Sequence, residues 1–190
     1  MATTTGKLED SDMDQLEQWV GTGPKTFTLL FSATRDGCDA ATFHQKCDNQ
    51  GATVTVLYNS QGSVYGAYTG QSWENSSNYK YTKDPTAFLY QLKFSGTEQC
   101  TKFPVTDSKP AIRSYSNYGP TFGGGYNLHT FFGTIAPSSG VYALNGSTCM
   151  YDQYYQMSNV SPKVKSWDDI NNGNMNVTEL EVYKVTGKIM

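Results

Sequence analysis

Three contiguous glycines, Gly123, Gly124 and Gly125, end the stretch YGPTFGGG (118–125), and glycine-rich turns often cradle phosphate. A P-loop needs a lysine and then a hydroxyl directly after its last glycine, to neutralise phosphate and hold magnesium. Here Tyr126 and Asn127 stand in those places. A dinucleotide fingerprint needs G-x-G-x-x-G between a strand and a helix. These glycines are contiguous and are followed by a strand-like LHTFFG. Both nucleotide readings fail on chemistry, and the glycines read as a turn, a bulge or a close backbone approach.

A second group is His44 and Cys47, an H-x-x-C spacing that on a helix shares one face. It has the makings of half a metal site or of a Cys/His nucleophile pair. No further Cys or His falls at metal-site spacing, and no third group that would orient the histidine is read beside it. The face also carries Ala40 and Phe43, so the plainer reading is a buried histidine with one hydrogen-bonded nitrogen. His129 sits in a strand candidate with nothing local to make it a ligand. No metal and no cofactor is expected. The third group is Glu179 and Glu181, which alternate with Leu180 and Val182 and so share a strand face, their Cα atoms about 6–7 Å apart. Two carboxylates at that spacing suit acid–base work. The plainer reading is the solvent face of an antiparallel strand, which leaves an acidic surface for a partner. On that reading, changing both to Lys cuts partner binding without unfolding the domain.

The elements that must position these residues are mostly strands. SDMDQLEQWVG reads as a short helix capped by Ser11, with Met13, Leu16 and Val20 on one face, Trp19 beside it and Gly21 as its stop. TFTLLFSA (26–33) reads as a strand, TRDG as a turn, and CDAATFHQKC as a second helix with Asp39 at its N-cap. TVTVLYN (53–59) and SVYGAYTG (63–70) flank a tight turn and form a hairpin. SWENSSNYKYTKDP reads as a polar loop. AFLYQLKF, TKFPV, AIRSY, TFGGG, LHTFFG and TELEVYKV supply further strands, with Pro104 breaking or edging one of them. Residues 136–173 show little pattern. Many short strands with two short helices point to a mainly β fold, a two-sheet antiparallel β-sandwich with short flanking helices.

Composition bounds the function. The 190 residues carry a net charge of −3, and only 16% are charged, which argues against a nucleic-acid binder with a basic footprint. The N-terminus has neither a basic region nor an apolar run of signal-peptide type, and no stretch approaches the ~18 apolar residues of a membrane span. The expectation is a soluble cytoplasmic monomer without membrane insertion. The sequons at Asn75, Asn145, Asn159 and Asn176 then read as chance matches. Cys38, Cys47, Cys100 and Cys149 show no C-x-x-C spacing and are expected to be reduced and mostly buried.

Taken together, six segments resemble the TLDc domain family in order: LLFSATRDG, AATFHQKCDNQGATVTVL, VYGAYTGQSW, AFLYQL, YGPTFGGGYNL and ELEVYKV. The resemblance implies a TLDc-like domain over 27–186, preceded by a polar tail and short helix (1–26) and followed by a tail (187–190). It also implies a non-enzymatic protein-binding module with roles in oxidation resistance and in binding the vacuolar proton-pumping ATPase; the family carries no agreed catalytic set. Related sequences often read Gly-Gly-Gly-His-Asp-Leu where this one has Gly125, Tyr126, Asn127 and Leu128, which removes a histidine and an acid. The N-terminal part further resembles the interferon-induced, GTPase-bearing branch, so one alternative is the first module of a longer GTPase-like protein. The other alternative is a small-molecule binder or enzyme using Cys47 and His44. For the binding reading, the candidate surface comprises Trp73, Tyr118, Gly119, Phe122, Gly123, Gly124, Gly125, Tyr126, Glu179 and Glu181.

Overall fold

The computed structural model describes residues 6–187; the polar residues 1–5 and the last three positions of the C-terminal tail lie outside the described residues. In chain order the elements are α1 (Asp10–Val20), β1 (Lys25–Ser32), α2 (Ala33–Asp36), β2 (Cys38–Asp39), α3 (Ala40–Cys47), β3 (Thr53–Asn59), β4 (Val64–Thr69) and β5 (Lys80–Thr82). They continue as β6 (Phe88–Phe94), β7 (Thr97–Pro104), β8 (Ile112–Ser114), β9 (Thr121–Phe122), β10 (Leu128–His129) and β11 (Thr134–Ile135). The chain closes with β12 (Tyr142–Ala143), β13 (Ser147–Thr148), α4 (Asp168–Asn171) and β14 (Asn176–Gly187). The larger sheet runs β1-β14-β3-β4-β6-β7, with β12 also paired to β14, and the smaller runs β13-β10-β9-β8-β5. All pairings between these strands are antiparallel, and the fold is a mainly β sandwich with short flanking helices.

Two apolar layers explain the arrangement. Between the sheets lie Phe31, Leu57, Tyr65, Leu89, Phe103, Ile112, Phe122, Leu128, Leu180 and Val182. On the other face of the larger sheet, Phe27, Val54, Val56, Tyr90, Tyr183 and Val185 pack with Leu8 and Leu16 from the N-terminal segment. Each such side chain contributes about 1.5–3 kcal/mol when fully buried. Every residue of β3 and β4 is therefore buried. The hairpin itself is as read: Asn59 Oδ1 accepts the N–H groups of Gln61 (3.0 Å) and Ser63 (2.8 Å) to close its turn.

The helices refine the reading. α3 forms as expected, with the Asp39 carboxylate accepting the Thr42 N–H and with Ala40, Phe43, His44 and Cys47 buried. α1 starts two residues early: extended Glu9 holds the cap position without a side-chain bond, so Ser11 is not the cap. Gly21 stops it at φ 71°, donating to Glu17 O. An ion pair of Lys93 with Glu9 (2.6 Å) helps fix this helix to the sheet. The expected TRDG turn is one helical turn, α2, because Ser32 Oγ accepts from Arg35 N. The polar loop after Trp73 contains β5, which pairs with β8. Residues 136–173 are irregular yet packed: Tyr155, Met157, Val164, Trp167 and Ile170 all enter the inter-sheet core. No helix among the described residues is long and apolar enough to cross a membrane.

Candidate functional site

Register in the smaller sheet places its chemistry. Ile112 pairs with Phe122 and Phe122 with Leu128, and all three face the core. Side chains alternate along strands, so their neighbours form a row on the outer face: Tyr81 opposite Arg113, and Thr121 opposite His129. Arg113 is only 8% exposed. A cation so buried is normally paired with an acid. Among the described residues no carboxylate lies within ion-pair distance of it, and its Nε has no hydrogen-bond partner.

Ring faces stand where the acid would. The guanidinium carbon lies 3.9 Å from the centroid of Tyr79, 4.8 Å from Tyr126, 5.4 Å from Tyr81 and 5.6 Å from Tyr118. Each ring attracts the cation through its quadrupole, by about 0.5–2 kcal/mol depending on desolvation. The Tyr118 hydroxyl is 3.2 Å from that of Tyr126 and donates to Tyr79 Oη at 3.5 Å. Burial, then these bonds to Tyr126 and Tyr79, pushes the Tyr118 phenol up. His129 closes the inner end. Its ring is 4.4 Å from Tyr118 and 5.1 Å from Tyr126. Thr121 donates its hydroxyl to Gly119 O (2.9 Å), which leaves Oγ1 to accept from His129 Nδ1 (2.8 Å) and fixes the tautomer. Burial, and secondarily the charge on Arg113, lowers the His129 pKa to about 4.

The glycine signature builds this cage. A Cβ on Gly119 would overlap the Phe131 ring, so only glycine lets that ring pack against the backbone beside Tyr118. Gly123 turns the chain at φ 81°, and Tyr126 follows in the left-handed region at φ 60°, an outlier for an aromatic residue. Gly124 and Gly125 give room to Tyr154 and Tyr151. Asn127 is buried and its Nδ2 donates to the carbonyls of Cys149 (3.3 Å) and Tyr151 (2.9 Å), so the Asn in place of an acid is a structural clamp. Four large hydrophobic side chains are exposed among the described residues: Tyr79 (54%), Tyr81, Phe132 and Tyr151. Phe132 stacks on His129 and Tyr151 borders Gly125, so all four surround the cage.

The other expected residues fall elsewhere. Trp73 is not on the surface: it is 1% exposed, donates to Thr53 Oγ1 (3.0 Å) and meets Phe43 and Phe122 edge-on. Phe122 is likewise core. Glu179 and Glu181 are not a solvent face, being 3% and 2% exposed, because the N-terminal segment and α2 cover that end of the sheet. Glu179 accepts from Thr34 N (3.1 Å), Leu180 N (3.0 Å), Ser32 Oγ (3.0 Å) and Thr34 Oγ1. Glu181 takes the Lys7 N–H on both oxygens (3.0 and 3.1 Å) and the Tyr183 hydroxyl (2.6 Å). Burial pushes the Glu181 carboxyl up, against the bonds from Tyr183 and Lys7. A cleft of about 380 Å³ opens here, and its two carboxylates already act as clasps.

His44 and Cys47 do not form a reactive pair. His44 Nδ1 meets Asp48 Oδ1 at 2.8 Å and Nε2 meets Tyr115 O at 2.9 Å, so neither nitrogen is directed to Cys47. Asp48 is the orienting third group that the sequence reading missed, four residues along the chain. The histidine binds α3 to the backbone of Tyr115, whose ring backs Tyr79 and Tyr118. Burial, then Asp48, pushes the Cys47 thiol well up. All four cysteines are free; Cys38 and Cys47 are buried, Cys149 is half-buried and Cys100 is exposed. Sequence reasoning also missed Arg113, Tyr79, Tyr81 and Phe132. The signal was present as an arginine inside the apolar AIRSY and as alternating aromatics in NYKYT.

A search of curated proteins finds no match. A scan against protein families matches the TLDc domain over residues 7–186, from the segment leading into α1 through most of β14. With the sandwich in place and the glycine signature building its exposed aromatic face, the chain belongs to the TLDc domain family.

Proposed function

We propose that this chain is a non-enzymatic, regulatory protein-binding module. Its role would be that of the TLDc type, in oxidation resistance and in binding the vacuolar proton-pumping ATPase from the cytoplasm. The observation that supports the reading is the clustering of Tyr79, Tyr81, Phe132 and Tyr151 around a buried Arg113 that has no carboxylate partner among the described residues. Tyrosine and arginine dominate the energetics of protein interfaces, and contiguous exposed aromatics mark such surfaces. The buried thiols favour a role without a cysteine nucleophile, since burial raises the Cys38 thiol to about 12 and the Cys47 thiol further. The test is retention of the purified chain by the soluble sector of the proton-pumping ATPase, followed by titration. Saturable binding is expected. A folded chain that is not retained refutes the ATPase as its partner.

A further inference from the structure

The inference rests on the protein-binding reading and names the chemistry of the contact. We propose that the Arg113 cage is a receptor for a carboxylate side chain, an aspartate or glutamate carried by the partner protein and inserted among Tyr79, Tyr81, Tyr118 and Tyr126. Arg113 is more than nine-tenths buried, its Nε–H has no acceptor, and no acid of this chain neutralises it among the described residues. Ring faces flank the guanidinium but accept none of its in-plane N–H bonds. A carboxylate is the group that takes two such bonds side by side. Tyr79 and Tyr81 are about half exposed, so their rings form the mouth of the cage and supply apolar contact around the inserted acid.

Charge and geometry select this occupant over phosphate. Phosphate sites gather several cations or the open N–H groups of a helix start. This cage holds one cation, and Lys80 on the neighbouring strand is already paired with Glu74. The backbone N–H groups of Gly123 and Tyr126 are bonded to Ala111 O and Gly123 O. One desolvated positive charge in an aromatic mouth matches one negative charge on a short stem. The exposed rim of tyrosines and phenylalanine matches a folded protein surface.

The experiment follows the Arg113 Nε–H and the ring protons of the cage tyrosines by NMR in the whole chain. The probes are hexaglutamate capped at both ends, capped hexaglutamine and inorganic phosphate. Saturable shifts centred on Arg113 with the glutamate peptide alone are expected. Occupancy also neutralises part of the field on His129, so its titration midpoint moves up from about 4. Arg113→Lys keeps the charge and loses the fork, and is expected to weaken glutamate binding about tenfold. Tyr79→Leu lies at the half-exposed mouth and keeps the fold testable if Arg113→Lys does not fold; it is expected to weaken binding severalfold, on the order of a lost cation–π contact. Equal shifts with hexaglutamine, tighter binding of phosphate, or shifts centred away from Arg113 overturn the proposal. Glutamate binding at the cage without retention by the ATPase sector removes that partner and leaves the receptor standing; the reverse result removes the receptor alone.

Discussion

His129 gives the outer face of the smaller sheet a measurable signature. Its pKa is lowered from the ordinary 6.5 to about 4, first by burial and then by Arg113, with Thr121, Tyr118, Tyr126 and Phe132 completing its surroundings. The folded value lies below the unfolded one, so folding favours the neutral ring. The stability it confers is present above pH 6.5 and is lost as pH falls through 6.5 toward 4. The whole shift corresponds to about 3 kcal/mol, of which about 2 kcal/mol is lost between pH 7 and pH 5. Urea unfolding of the native chain and of His129→Gln at these two pH values isolates the effect, since glutamine donates to Thr121 but does not titrate. Glu181 and Asp12, both raised by burial, lose stability in the opposite sense as pH rises above their ordinary values, but they are common to both proteins and cancel in the difference. The stability difference between native and variant is expected to narrow by about 2 kcal/mol at the lower pH. An imidazole that titrates near 6.5 by NMR, or a difference that does not change with pH, refutes the reasoning.

Three further outcomes test the rest of the structure. Glu179→Lys and Glu181→Lys each reverse a charge that accepts several buried donors, so each is expected to destabilise the fold by about 3–5 kcal/mol, read as a lowered urea midpoint; a midpoint near that of the native chain contradicts the clasp. Asn127→Asp removes the two bonds to Cys149 O and Tyr151 O and sets a carboxylate against carbonyl oxygens, with an expected loss of about 3 kcal/mol at neutral pH, and an undiminished midpoint in the same assay contradicts the clamp. Alkylation followed by mass spectrometry is expected to label Cys100 first, slowly near neutral pH because burial and Glu98 raise its thiol to about 11, and to reach Cys47 only on unfolding; early labelling of Cys47 would revive the nucleophile.

Local chemistry was legible from the chain and tertiary cover was not. Asp39 and the Ala40–Cys47 face declare α3 because a cap and a 3.6-residue period are local signals. The alternation of Glu179 and Glu181 with Leu180 and Val182 gives two strand faces but does not say what lies on the second. Lys7, at the start of the described N-terminal segment, provides that cover from 174 residues away in sequence. Trp73 looked like a surface aromatic for the same reason, since its partners Phe43 and Phe122 are remote in sequence. The signature YGPTFGGGYNL identified the right region, but its meaning depended on Tyr79 and Tyr81, hidden in a polar stretch, and on an arginine in the adjacent strand β8. A cross-strand row is a property of register, and register between short strands such as β8, β9 and β10 has almost no sequence pattern to fix it.

The two outer faces of the sandwich are treated oppositely, and this difference carries the functional argument. On the larger sheet, apolar and carboxylate side chains face outward and the chain covers them with its own α1, whose Leu16 is wholly buried, and with the Lys7 N–H on Glu181. On the smaller sheet the outward row is equally rich in aromatic surface, and exposed tyrosines and Phe132 ring the buried Arg113. Folding alone does not account for that second arrangement, because an apolar residue in place of Arg113 would be buried without desolvating a charge. The scaffold beneath it is nonetheless tightly specified: Gly119 admits Phe131, Asn127 clamps the 149–151 segment, and His44 fixes the backbone of Tyr115. A rigid mouth loses little side-chain freedom on binding, so more of the contact energy appears as affinity. The chain is also acidic overall, at −3, so its long-range field does not draw an acidic partner in. Recognition at Arg113 must then come from the short-range fit of one carboxylate to one largely buried guanidinium, which makes the site selective through its geometry rather than through net charge.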